Sequence, residues 1–462
     1  MNINAEGLPT IITEVPDDHI NNSFDHSVMQ QTSQSLQEPE WAFARRQEAW
    51  NLFQSTPLPT RSDEGWRRTD VSGLNLSEME PPALTALRRP LSQDNQVREQ
   101  LNSMLTKSDN AAGRLIEVDG QPFEEMVSDE LIKQGVIVTD LGTAIRRYES
   151  LIRDHFDRTP YEITDRKFTS LAQTFWTGGK FIYVPDNVEV KLPIEMHSSI
   201  LSGNAVFPRL LVIVGKNSKV ALLDEFVSPD AKHQSLSSAT TEIFLGEGAD
   251  VRYVLLNRWG ENVYHFHHQR TVLGKDAHLK TLTIGLGSHL TKATIEAFLN
   301  AQGSSSDMLG LVFGTGNQHF DHHTVQFHKV GQTLSDLLFK TALDDKAHSV
   351  YSGLIRIEKD AQRSNAYQAN RNLLLSKDTQ ADSIPNLEIH ANDVRCSHGA
   401  TVAPIDPEYI FYLMSRGIPE VDAKRLVVEG WFEQVLDRAD IPALRELVSE
   451  QIAAKIRKQV GG

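Results

Sequence analysis

VIVGKNSKV (212–220), EIFLGEGADV (242–251) and RTVLGKDAHL (270–279) repeat one pattern: a short apolar strand, a turn opened by glycine, and the start of a second strand. KTALDDKAHSV (340–350), IRIEKDAQRS (355–364) and NLLLSKDTQAD (372–382) carry it without the glycine, and EAFLNAQGSSSDM (296–308) is a looser copy with a longer turn. The turn glycines Gly215, Gly246 and Gly274 lie 31 and 28 residues apart, a spacing that suits a coil of two or three short strands repeated along an axis. Few intervening segments hold the i, i+3, i+4 stripe of a crossover helix. Short parallel strands without helices predict a right-handed parallel β-helix, in which each coil stacks on the last and inward side chains fill the space between rungs. The turn position is less regular later, at Asp344, Glu358 and Ser376, and strand direction cannot be read from alternation. An antiparallel sandwich is therefore the alternative.

Outward from this core, spanning 166–404, the texture changes on both sides. Residues 1–40 are polar, end in the Gln/Ser-rich run Gln30 to Gln37 and predict a flexible tail. Residues 41–165 predict an N-terminal helical domain. WAFARRQEAWNLFQ repeats apolar side chains at Trp41, Ala44, Ala49, Leu52 and Phe53, and LGTAIRRYESLIRDHF at Leu141, Ile145, Tyr148, Leu151 and Ile152. Residues 405–462 predict a C-terminal helical domain. Its first helix opens at Asp406 with Pro407 in the first turn and closes at Gly417. Ile410, Phe411, Leu413, Met414, Leu426, Val427, Trp431, Phe432 and Val435 form its packing stripe. A solenoid needs its ends covered, which gives both flanks a physical purpose.

Composition narrows the function. In 462 residues, 40% hydrophobic, 46 basic side chains face 61 acidic ones, and a net charge of −15 argues against binding nucleic acid through its phosphates. No run of about 20 apolar residues spans a bilayer and the start lacks a signal-peptide pattern, so no membrane partner and a cytoplasmic location are expected. A single cysteine, Cys396, excludes an internal disulfide and any metal centre built from several cysteines of this chain. Gly178-Gly179-Lys180 lacks the rest of a phosphate-binding loop, and neither Gly285/Gly287 nor Gly314/Gly316 completes a dinucleotide fingerprint. With no nucleophile elbow and no His-Glu-x-x-His either, the chain is not expected to be an enzyme.

Two clusters remain. QHFDHHTVQFH gathers His319, Asp321, His322, His323 and His328; on a strand His319 and His323 share one face, His322 and His328 the other. They are candidate metal ligands, or plain histidines on a solvent face or stacked along a rung. His265, His267 and His268 form a smaller cluster of the same kind. NDVRCSHGAT places Cys396 and His398 on one face of a strand, able to ligate one iron while a partner supplies the rest; a buried Cys beside a hydrogen-bonded His is the competing reading.

The stretch from Tyr351 to Ile418, with NLEIHANDVRCSHGATV and DPEYIFYLMSRGI, closely resembles the SufB/SufD family of iron–sulfur cluster assembly scaffolds. PLPTRSDEGWRRTDVSGL, with Trp66, Arg67, Thr69 and Asp70, is similar to the family's N-terminal motif, and GGKFIYVPDNVEVKLPIEM to its entry into the β-helix. The Cys-Ser-His-Gly-Ala-Thr run and the lone cysteine are similar to the SufD branch. This resemblance implies a complex of the chain with SufB and two copies of the ATPase SufC, in which the β-helices pair edge to edge and the C-terminal helices dock SufC. It further implies a transient iron–sulfur cluster shared with SufB and held at His398 and, less directly, Cys396, and contacts to SufC at Tyr409, Phe411, Met414, Arg416 and Gly417. Reduced flavin in the complex and a homodimer of the isolated chain are further family features. Alternatives are a histidine-rich metal-binding β-helix using His319 and His323, a carbohydrate-active β-helix, and a SufB-like paralogue acting as a homodimer.

Overall fold

A computed structural model describes residues 23–84, 95–106, 110–156, 165–439 and 442–460. The strands Lys219–Val227, Asp250–Arg258, His278–Gly285, Ser305–Gly314, Leu334–Leu343, Asn365–Leu374 and Arg395–Pro404 stack in parallel as a first sheet. Those between them in sequence, from Ser235–Leu245 through Val263–Leu273, Leu290–Leu299, His319–His328 and His348–Ile357 to Gln380–Ile389, stack as a second. Neighbours within a sheet are alternate strands of the chain, so His278, Ser305, Leu334, Asn365 and Arg395 stand in one column. The fold is a mainly β, parallel solenoid with one strand per sheet in each coil, not a sandwich.

Two kinds of corner explain the irregular later spacing. Gly215, Gly246 and Gly274 turn from the second sheet to the first, and each amide bonds a carbonyl of the coil before, at 2.7 to 2.9 Å. Asn300, Lys329 and Glu358 continue that column. Asp344 and Leu375, beside Ser376, belong to the opposite corner, so the sequence pattern had merged two columns into one. At the glycine corner a Cβ on Gly274 would lie 2.8 Å from the carbonyl oxygen of Leu245, which is why the tightest turns exclude side chains. Each coil there also needs one left-handed residue, at Asn217, Gly248, Asp276 and Gly303, residue types that reach positive φ at least cost.

Val220, Val251, Leu279, Met308 and Leu337 from one sheet meet Ile243, Leu273 and Ile295 from the other in the solenoid interior. The helices cover the outer sheet faces, not the ends. On the second sheet, helices His26–Leu36, Glu40–Ser55 and Arg166–Phe175 pack through Phe24, Phe53 and Phe168, the last stacked on Phe266 at 3.5 Å. The run from Gln30, expected to be tail, is thus mostly helix and buries Thr32 and Ser33, while residues 1–22 of that tail lie outside the described ones. The Glu40–Ser55 helix buries Ala42, Arg46, Ala49 and Phe53, a stripe that includes a charged residue because Arg46 reaches Glu38 and the carbonyls of Thr174 and Trp176. The segment from Leu141 breaks into two short helices at Tyr148, and the supposedly helical N-terminal part also holds strands Gly113–Val118, Gln121–Val127 and Ile137–Asp140. Gln121–Val127 and Ile137–Asp140 run antiparallel to their neighbours and finish the sheets at this end.

On the first sheet, helices Glu420–Ala439 and Pro442–Val460 lay Val428, Phe432, Val435, Val448 and Ile452 over Leu282, Leu309, Leu311 and Leu338. Lys455 fixes the last helix by donating to the carbonyls of Leu286 and Phe313 at 2.6 and 2.7 Å. No helix among the described residues is long and apolar enough to cross a membrane.

Candidate functional site

Strands Gln380–Ile389 and Arg395–Pro404 each lie last in their sheet. Among the described residues each has a partner strand on one side only, so a row of backbone N–H and C=O groups faces outward along both edges. The last coil is also loosely covered, with most of its side chains half-buried or exposed. This open end holds both residues of the Cys-x-His pair.

Cys396 stands beside Ala366 and His398 beside Gln368 in the parallel ladder, so both side chains project from the same strand face, as the alternation predicts. Their surroundings differ. Cys396 is half-buried against Ile355, Ile357, Ala361, Ala366 and Ala391, and burial raises its thiol above the ordinary value. Near neutral pH it is a protonated thiol in an apolar setting, a poorer ligand than a thiolate. His398 is exposed and open to an incoming group. Beneath them Asn370 accepts from Ser383 and Asn372, both at 2.7 Å, and Gln368 is buried.

The helix Pro407–Ser415 follows directly. Asp406 caps it by accepting from the Glu408 amide at 2.9 Å, Pro407 occupies its first turn and Gly417 at φ 85° ends it, as read from the sequence. Its apolar side chains pack only in part, with Ile410 and Leu413 half-buried. No residue of this helix is buried, and Tyr409, Phe411 and Met414 are 63%, 73% and 44% exposed. The packing stripe expected to run through Ile410, Phe411, Leu413 and Met414 therefore begins only with the next helix, at Ala423 and Val428. Arg416, over the Tyr412 ring, and Gly417 are exposed as well.

The 319–328 cluster divides between the sheet faces as expected. His322 and His328 point inward, against the Phe339 ring and onto Thr333 and Ser335, and burial holds both at about 4, neutral near pH 7. His319 and His323 point outward under the loop of residues 57–70. Asp321 lies between them, 1% exposed, with Lys292 Nζ 2.6 Å away, Thr69 donating at 2.5 Å and His323 Nε2 at 2.9 Å. Lys292 also donates to the Gly65 carbonyl at 2.9 Å and sits 3.0 Å from His323 Nε2. His319 Nε2 is 3.0 Å from Thr69 Oγ1, and burial pulls its ring down to about 4.

An ammonium thus occupies the position between Asp321 and His323 where a metal would sit. Among the described residues no group of three or more His, Cys, Asp or Glu is placed to hold a metal ion. His319, Asp321, His323, Lys292 and Thr69 instead form a network that keys the N-terminal loop to the solenoid. His265 and His267 are interior rings that burial keeps neutral, the former at about 3. For His268, burial is outweighed by its bond to Glu296 at 3.1 Å, which raises it.

Sequence reasoning passed over Lys292, the center of that network, and Gln368. A lysine inside the apolar run LTKATIEAFL was the signal for the first. Gln368 gives none, because it comes to lie beside His398 only through the return of one coil.

A family model described as the SUF system iron–sulfur cluster assembly SufBD core domain matches residues 197–431, and one for the SufBD N-terminal region matches 26–196. The chain is 27% identical to the iron–sulfur cluster assembly protein SufD of Bacillus subtilis, over 94% of this chain and 98% of that protein. It is likewise 27% identical to SufB of the same organism, over 88% and 87%. An iron–sulfur cluster assembly SufBD family protein of Staphylococcus epidermidis is 28% identical over 88% of each. Equal identity to SufB and SufD leaves the choice of branch to individual residues.

Proposed function

The chain belongs to the SufBD family of iron–sulfur cluster assembly proteins, and from that premise we propose that it is the SufD-type scaffold of a cluster-assembly complex. In this reading it is no enzyme by itself. It pairs with SufB through the open edges of its last coil, docks a SufC ATPase through the helix Pro407–Ser415, and lends His398 to the cluster or iron at the shared interface. The observation that carries the reading is His398, an exposed imidazole on the inner face of the last coil, which the described residues leave open.

Three features support it. Two edge strands of ten residues offer backbone groups that a matching strand satisfies without new side-chain chemistry. The sole cysteine is half-buried with a raised thiol, so thiolates for a cluster must come from the partner. The apolar helix after the last strand has no buried residue of its own, the condition of a surface that a partner covers. A SufB-like homodimer would use the same edges, but the lone cysteine disfavours it. The proposed site of action is the cytoplasm.

His398→Ala is expected to leave folding and complex assembly intact and to lower cluster formation in cells several-fold, measured as activity of a cluster-dependent reporter enzyme; undiminished reporter activity would remove His398 from the mechanism. Cys396→Ala should have the smaller effect, because the thiol is committed to an apolar cluster. For the ATPase, deletion of 405–462 is a poor test, since it would strip Phe432 and Val435 from the first sheet. Phe411→Asp is cleaner. It should weaken SufC binding about 100-fold, as loss of an aromatic anchor does, with an unchanged melting temperature. Binding within threefold of the parent would rule out this helix as the dock.

A further inference from the structure

Gln368 occupies an unusual place under the proposed ligand. The two positions nearest it in the column on the first sheet are apolar, Met308 beside Leu337 and Leu337 beside Gln368, each at most 1% exposed. At Gln368 the column turns polar one rung before it opens, and the next member is His398. The two side chains leave the same face of adjacent strands, about 4.8 Å apart.

Its neighbours leave Gln368 an acceptor to spare. The amide nitrogen makes one long bond of 3.4 Å to the Gly353 carbonyl, and Oε1, fully buried, has no hydrogen-bond partner among the described residues. Asn370, two residues on and facing the same way, contrasts with it, since its Oδ1 accepts twice. Gly353, opposite, leaves the room in which Oε1 sits: a Cβ there would come within 2.6 Å of both Gln368 Oε1 and the Tyr351 hydroxyl. Tyr351 is itself engaged with Thr324 at 2.8 Å. The floor under His398 is thus a small polar cup in which the glutamine oxygen is an unused acceptor among the described residues.

We propose that Gln368 is the positioning residue for His398, its Oε1 accepting the imidazole N–H so that the other ring nitrogen turns its lone pair toward the partner and the iron. The bond completes when a partner strand covers the last coil and brings the exposed ring down onto the cup. A histidine ligand is commonly oriented in this way, because the bond made by one nitrogen fixes which nitrogen is left to bind metal. The proposal rests on the scaffold reading above and deepens it.

The test uses the full chain assembled with its SufB and SufC partners, with the histidine imidazoles of this chain labelled with nitrogen-15. Solid-state spectra report the tautomer of His398, assigned by the signal that His398→Ala removes. The expected results are one tautomer in the parent, a mixture of both in Gln368→Leu, and one tautomer again in Gln368→Glu, which keeps an acceptor in place. Iron and sulfide bound per complex should fall three- to tenfold in Gln368→Leu and recover in Gln368→Glu, with subunit ratios unchanged. A single, identical tautomer in all three proteins would overturn the role of Gln368 and leave the scaffold reading standing. Full cluster loading in His398→Ala would instead overturn the scaffold role of His398, whatever the tautomers show.

Discussion

Lys292→Met is expected to destabilise the folded chain by about 3–5 kcal/mol, the usual loss when one member of a buried ion pair is removed. Lys292 and Asp321 have side chains 0% and 2% exposed at 2.6 Å, and the methionine would leave the carboxylate with only Thr69 and His323. The sign with pH can be worked out. Although burial alone would raise Asp321, the charges of Lys292 and His323 hold it well below the ordinary carboxylate value. Its contribution is therefore present above the unfolded pKa, near 4, and is lost as pH falls through the lower folded value. In the variant Asp321 takes up a proton more readily, so the deficit should shrink toward acid pH. The double variant Lys292→Met/Asp321→Leu should recover much of the loss, because no buried charge is left unpaired. Chemical denaturation of the three proteins at pH 7 checks this, and a single variant within 1 kcal/mol of the parent would mean that the network does not anchor the N-terminal loop.

Glu117→Gln should act in the opposite direction, stabilising the chain by about 3 kcal/mol at pH 8 and by little at pH 4. Glu117 is 3% exposed in the solenoid interior, and neither carboxylate oxygen has a hydrogen-bond partner among the described residues. The nearest cation, Lys180, is engaged with Ser198 at 2.7 Å and Asp224 at 3.1 Å. Burial pushes Glu117 up to about 7, the Lys180 charge offsets this in part, and Asp224 and Asp140 add to it. The folded chain thus holds this proton more tightly than the unfolded one. Stability is full below the unfolded value of 4.5 and declines as pH rises toward 7. A span of about 2.5 pH units at 1.36 kcal/mol each gives the estimate of about 3 kcal/mol. Glutamine keeps the shape and cannot ionise, so parallel stability–pH curves for parent and variant would refute the assignment.

Both predictions depend on residues that local sequence barely marks. Lys292 and Asp321 are 29 residues apart and meet because one coil returns each strand to the same column. Gln368 and His398 meet by the same return. Repetition itself was legible, since stacked corners demand glycine and left-handed residues at a near-constant interval, and alternation correctly divided the 319–328 histidines between two faces. The helix of 407–415 was legible from Asp406, Pro407 and Gly417, because caps are local chemistry. Its exposure was not, because the same apolar stripe serves a core or a partner equally well.

By itself the sequence determined a repeat of short strands and corners, its flanking helices, the poverty of thiol ligands and the Cys-x-His strand, all of which follow from near-neighbour patterns and from counting, while the parallel direction of the strands came from the structure. Only the tertiary structure decided which coil is left open, that His398 is exposed while Cys396 is packed, and that a lysine fills the gap between Asp321 and His323. Those depend on what is stacked above, below and across from each residue. In a solenoid such neighbours lie about one coil away in the chain, beyond the reach of any local pattern.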